Sequence, residues 1–186
     1  MHGIVLVGMK NFISSTFGDD VWMSMLKDTD IGVKAYMATI TYPDEEVRKL
    51  VKKASELTGK SEKNILEEFG RFIASTLIDI YGMLIDPSWR TMDLIEHTGG
   101  TIHKTVRLKT PGAAPPEISS KRVSPGEVVV TYGSPRRMCG FAMGLARGIA
   151  DHYGDRVVIN ESRCMLEGSP SCNISIRLVE DDRGED

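Results

Sequence analysis

The sequence predicts a single α+β domain in which a helical N-terminal half is followed by a small antiparallel sheet with a helix. Three observations carry this reading. Apolar residues recur at three- and four-residue spacings to about Leu108, the periodicity turns strand-like from Glu117, and neither a repeat nor a linker interrupts the 186 residues. With 41% hydrophobic and 26% charged residues, the chain has enough apolar material for one core and a buried ligand. The domain is expected over residues 1–180, with 181–186 as an acidic, disordered tail.

Taken in order, residues 2–17 place Ile4, Val5, Val7, Met9, Phe12 and Ile13 at helical spacing up to Gly18, and a short segment from Trp22 to Leu26 follows. Asp44 to Thr58 is a surface helix, with Val47, Leu50, Val51 and Ala54 on one stripe and Gly59 as its stop. From Ser61 to about Tyr81 the stripe of Ile65, Leu66, Phe69, Phe72, Ile73, Leu77 and Ile80 is broad enough for a largely buried helix. A helix from about Ser88 to Glu96 reaches Gly99-Gly100, read as a hinge or an ordinary turn. The next carries Ile102, His103, Val106 and Leu108, and Pro111 to Pro116 is a stiff loop. Glu117–Val123 and Glu127–Tyr132 form a hairpin about Ser124-Pro125-Gly126. A helix from about Arg137 to Tyr153 precedes two more strands, Arg156–Glu161 and Asn173–Val179, which flank a cysteine loop.

Composition narrows the functional class. A net charge of −3 with scattered Lys and Arg lacks the basic footprint of a nucleic-acid binder. The apolar run Ile4 to Met9 is too short to span a bilayer and no cleavage site follows it, so the expected setting is cytoplasmic, away from membrane. Three cysteines, an odd number without a secretion signal, point to metal binding or redox chemistry rather than a disulfide framework. The ten methionines are expected to be mostly core filler.

The most informative segment is Tyr132-Gly133-Ser134-Pro135-Arg136, at a strand end just before a helix. Alternate side chains of an extended chain point the same way, so two hydroxyls and a guanidinium converge. Arg offers a planar charged fork to carboxylates, and Tyr and Ser add neutral donors. The set suits a ligand with two neighbouring carboxylates, although a capping cluster would read similarly. His103 stands twelve residues before Pro115 and twenty-nine before Tyr132, on an apolar segment where a core histidine is the ordinary reading.

His103, the Pro115-Pro116 pair and the Tyr132, Ser134, Arg136 run together resemble the haem nitric oxide/oxygen binding family, the sensor domains related to soluble guanylate cyclase, over nearly the whole chain. That resemblance implies haem b between the helical part and the sheet, with His103 as the iron ligand. It also implies Tyr132, Ser134 and Arg136 on the propionates, and Pro116 pressing on the macrocycle. His97 does not fit the family spacing, and His2 and His152 have no comparable support. The implied mechanism is that nitric oxide binds iron, the bond to His103 weakens or breaks, the haem relaxes, and the changed surface biases a partner such as a histidine kinase or cyclic-di-nucleotide enzyme. The chain is then a switch rather than an enzyme.

Oxygen on ferrous haem gains from a nearby hydrogen-bond donor, whereas nitric oxide binds without one. Where oxygen-holding relatives carry a distal tyrosine, five residues after the motif arginine, this sequence has Phe141; the other two positions are Met9 and Ala74. The expectation is an oxygen-excluding nitric oxide sensor with Ile4, Val5, Met9, Ala74, Phe141 and Leu145 as apolar walls.

Cys164 and Cys172 flank a Gly-Ser-Pro turn, and Cys139 opens the helix after the motif, a set suited to zinc or to buried free thiols. A subgroup of the same family has a cysteine-bound zinc here. Its histidine ligand, three residues before the first loop cysteine, is replaced by Glu161, with His152 or water as alternatives. Oxidation of such thiolates would add a second, redox input. Three other readings stay open: a zinc-cysteine redox sensor with haem secondary, a haem peroxidase-like enzyme, disfavoured by the apolar distal positions, and an apolar-ligand module resembling the vinyl-reductase-like domains.

Overall fold

A computed structural model describes residues 1–110 and 112–179; Pro111 and the expected acidic tail, 181–186, lie outside the described residues. The helical half opens with α1 (Gly3–Phe17), which Gly18 ends at φ 100°. Helix α2 (Asp19–Asp28) is longer than its apolar core Trp22–Leu26. The added turns are charged, with Asp19 and Asp20 at the N-terminus and Lys27 near the C-terminus, which complement the helix dipole. Helix α3 (Asp44–Thr58) starts with three acidic residues and stops at Gly59 in the left-handed region. Helix α4 (Glu62–Tyr81) is capped by Ser61, whose hydroxyl accepts the Asn64 N–H at 3.2 Å. Leu6, Ile13, Met25, Leu26, Leu50, Ile65 and Phe69 form the core of these four helices. Helix α4 is less enclosed than its composition suggests, since Phe72 and Ile80 are 41% and 48% exposed.

Helix α5 (Thr91–His97) begins three residues later than the sequence suggests. Ser88 is spent in a turn on Asp86, and the Asp93 carboxylate accepts the Arg90 N–H at 2.9 Å to set the start. Gly99 and Gly100 are not a break between helices. They lie inside a π-helical turn (Thr98–His103) that runs on into α6 (Lys104–Lys109). Gly99 is required by close approach, because a Cβ there would sit 2.3 Å from the Ile118 carbonyl oxygen.

Strands β1 (Glu117–Ser124), β2 (Glu127–Gly133), β3 (Val157–Arg163) and β4 (Cys172–Leu178) form one antiparallel sheet in the order β1-β2-β4-β3. Alternate residues Val128, Val130 and Tyr132 of β2 and Ile174 and Ile176 of β4 are buried on one face with Met92, Met143 and Ala146. Helix α7 (Cys139–Tyr153) starts after Arg137, whose N–H closes a turn on the Ser134 carbonyl and whose φ is 55°. It lies unusually near α4. Gly140, Gly144 and Gly148, one turn apart, meet backbone or Cβ atoms of α4, and a Cβ on Gly144 would be 2.0 Å from the Glu67 carbonyl oxygen. Among the described residues, no helix is long and apolar enough to cross a membrane.

Candidate functional site

A cavity of about 250 Å³ lies where α1, α4, the α5–α6 segment, the sheet and α7 meet. The structure brings His103, Pro116, Tyr132, Ser134 and Arg136 to its wall, together with Ile4, Val5, Ala74, Phe141 and Leu145. Met9 is the exception: it is fully buried in the N-terminal core and does not line the cavity. Only the first turn of α1 reaches the void, and Met9 stands a full turn beyond Val5. His97 is also elsewhere, exposed and stacked on Trp89 at 4.5 Å.

His103 ends the π-helical turn. Its Nδ1 is shut off from solvent and has no hydrogen-bond partner. Burial, with the nearby Arg107 guanidinium, pushes the imidazole pKa down to about 4, against an opposing contribution from the Pro116 backbone. The ring is therefore neutral at physiological pH, the protonation state that ligates a metal.

The strand-end motif is held from outside the sheet. Arg136 Nε donates to Asp44 Oδ1 at 2.8 Å and its Nη1 to the Ala114 carbonyl at 2.5 Å. The amino terminus donates to the same Asp44 oxygen at 2.6 Å. Burial works to raise the Asp44 pKa, but hydrogen bonds from the amino terminus and Arg136 hold it below the usual carboxylate value. Tyr132 and Ser134 are buried, and burial raises the Tyr132 hydroxyl further above neutrality, so it stays a donor. A neutral imidazole, apolar walls, a guanidinium and two hydroxyls lining one void fit an amphipathic iron macrocycle with two carboxylates. On the proposed gas side Phe141 packs against Phe69 at 5.0 Å, and Ala74 adds only a methyl.

A second constellation lies at the start of α7. Ligand atoms of Cys139, Glu161, Cys164 and Cys172 all fall within 4.8 Å of one another. Sγ of Cys139 and Cys164 are 3.8 Å apart, and thiolates at two corners of a tetrahedron about 2.3 Å from zinc would be about 3.8 Å apart. Burial, reinforced by the neighbouring acidic groups, raises Cys139 strongly and Cys172 to about 11. Three clustered thiols, of which burial makes Cys139 and Cys172 resist ionising alone, and a buried Glu161 Oε1 without a partner suit a divalent cation. The other oxygen, Oε2, accepts from Lys63 Nζ at 2.7 Å. His152 is not in the cluster; it is exposed and packs edge-on against Tyr153.

Sequence reasoning missed Asp44, Lys63, His2 and Tyr81, the last two of which line the cavity. No local pattern marks them. Asp44 meets Arg136 across 92 positions and Lys63 meets Glu161 across 98.

Comparison with known proteins follows the same geometry. The family model described as Haem-NO-binding matches residues 2–161. Soluble guanylate cyclase gcy-33 of Caenorhabditis elegans is 26% identical over 137 residues, which make up 73% of this chain and 14% of that protein. An H-NOX protein from S. oneidensis, solved in the Fe(II)NO ligation state, has a TM-score of 0.89 at 22% identity, covering 97% of this chain and all of that one. The Fe(II) unliganded H-NOX protein from K. algicida gives 0.84 at 20% identity, with both chains fully covered. These structural likenesses establish the fold.

Proposed function

The chain belongs to the haem-NO-binding family, and on that premise we propose that it is a cytoplasmic haem b sensor that responds to nitric oxide, excludes oxygen and signals to a separate effector without catalysing a reaction. The observation that supports this most is a single cavity lined by both the buried, neutral His103 and the Tyr132, Ser134, Arg136 set. Bound haem supplies a ferrous iron with one position for a protein nitrogen and one for a diatomic gas. His103 provides that nitrogen. Tyr132, Ser134 and Arg136 orient the carboxylates, with Arg136 itself held by Asp44. Pro116 would pack against the macrocycle, while Ile4, Val5, Ala74, Phe141 and Leu145 would exclude water and offer no hydrogen-bond donor to oxygen. The π-helical turn and α6, which carry His103, are the elements that a change at that residue would reach first, and through them a partner such as a histidine kinase or cyclic-di-nucleotide enzyme would be biased.

The test is the absorption spectrum of reduced, haem-reconstituted protein, with nitric oxide and under air, for wild type and His103→Gly. A five-coordinate ferrous spectrum that shifts with nitric oxide, ignores air, and loses its histidine-ligated form in the variant is expected. An unchanged variant spectrum would refute the role of His103.

The thiol cluster supports a second input. With zinc on Cys139, Cys164, Cys172 and Glu161, oxidation of the thiolates releases the metal and adds a redox signal. A zinc-cysteine redox sensor with haem secondary is the competing reading, and it predicts oxidant sensitivity in haem-free protein.

A further inference from the structure

The cavity wall contains a second histidine that the function above leaves unused. His2 is partly buried and lines the same void as Arg136. Both its ring nitrogens are closed off from solvent and neither has a hydrogen-bond partner. Leaving both nitrogens of an enclosed imidazole unpaired is costly, and such an orphan points to a partner outside the protein.

The backbone around His2 is fixed. The Tyr42 N–H donates to the Met1 carbonyl at 2.8 Å, the Gly3 N–H to the Ile40 carbonyl at 2.7 Å, and His2 itself bridges to Thr41. Asp44 ties the residue before His2 to Arg136. The amino terminus of the preceding residue and Arg136 Nε share the Asp44 Oδ1 atom, at 2.6 and 2.8 Å. His2 follows that amino terminus directly in the chain and lines the cavity that Arg136 also lines.

Charge points the same way. Arg136 and the amino terminus bring two positive charges and Asp44 removes one, so a ligand with two carboxylates leaves a negative charge uncompensated. Burial and the adjacent amino terminus hold the free ring in its neutral form. An arriving carboxylate counters both effects and gives an N–H its acceptor.

We infer that His2 is a further cofactor-binding residue, which donates a hydrogen bond to a haem carboxylate beside Arg136. This rests on the haem reading of the cavity and assigns His2 no bond to iron.

The test compares wild type, His2→Ala and His2→Gln, each loaded with haem or with haem dimethyl ester, in which both carboxylates are masked. Transfer of cofactor to excess apomyoglobin gives the dissociation rate, and circular dichroism checks folding. With haem, His2→Ala is expected to lose cofactor about tenfold faster, the scale of one hydrogen bond to a charged group. His2→Gln, which keeps a donor, should fall between. With the dimethyl ester the three proteins should agree within about twofold, a spread below one net hydrogen bond. The ferrous histidine-ligated spectrum should be common to all. Equal losses with both cofactors, no loss with haem, or a changed iron spectrum in His2→Ala overturns the assignment. Should His2→Ala fail to fold, His2→Gln against the ester decides. Wild type that retains neither cofactor sinks the haem reading itself, whereas retention with indifferent variants sinks only His2.

Discussion

Gly144→Ala is expected to destabilise the protein, although alanine is the better helix former. The residue is in the middle of α7, where its missing side chain lets α4 approach. An added Cβ would lie 2.0 Å from the Glu67 carbonyl oxygen, 2.8 Å from its carbon and 2.9 Å from its Cα. These are backbone atoms and cannot swing aside. The helices must part locally by about 1 Å merely to reach 3 Å. Overpacking of this kind costs about 1–3 kcal/mol, and the constraint from two helices places it near the upper end. Replacing glycine in a helix returns about 0.8–1 kcal/mol. The net loss is about 2 kcal/mol, or roughly 4–8 °C in melting temperature for a domain of this size. Calorimetry on wild type, Gly144→Ala and Gly82→Ala measures it. Gly82 has a right-handed helical conformation and open space around its Cα, so its alanine variant should be neutral or slightly stabilised. Equal or higher melting of Gly144→Ala would refute the close-packing argument. Because Ala74 on α4 and Phe141 and Leu145 on α7 line the cavity, the same parting should also hasten cofactor loss.

Three further outcomes are expected. Phe141→Tyr adds a hydroxyl to the cavity wall and should create a measurable ferrous oxygen complex by absorption spectroscopy; continued indifference to air would remove the selectivity account. Purified protein should hold about one zinc per chain by elemental analysis, and chelation or Cys139→Ser should abolish it while apo-protein stability falls; metal-free protein of unchanged melting would count against the cluster as a zinc site. The depressed Asp44 pKa means that its contribution to stability is present above the ordinary carboxylate pKa and is lost as the pH falls through the lowered value. Asp44→Asn should therefore flatten the acid limb of a stability–pH curve, and parallel curves would contradict the shared ion pair.

What was legible in the sequence follows from the range of the interactions. Alternation along β2 accounts for burial of Tyr132 with Val128 and Val130, whereas Ser134 and Arg136 lie past the strand end and reach the same void through the turn that the Arg137 N–H closes on the Ser134 carbonyl. The periodic stripes of α1, α3, α4 and α7 and glycine stops such as Gly59 are equally local. Asp44 was invisible because its role depends on Arg136 and the amino terminus at once. Met9 lies off the cavity because a helix can meet a cavity at its first turn and a core at its second, a distinction that no spacing encodes. The pair Gly99-Gly100 looked like a joint between helices, whereas Gly99 is small because the Ile118 backbone passes against it.

The π-helical turn before His103 has a consequence for chain length rather than chemistry. Such a turn closes its hydrogen bonds one residue later than an α-helix, so the segment Thr98–His103 contains one residue of slack. In an α-helix one residue is about 100° of rotation and 1.5 Å of rise. The compass bearing of His103 is thus set by how many residues precede it within the turn. Removing one of them, as by deletion of Gly100, would let the stretch wind as an ordinary helix and swing the imidazole about a quarter-turn away from the cavity, with its identity unchanged.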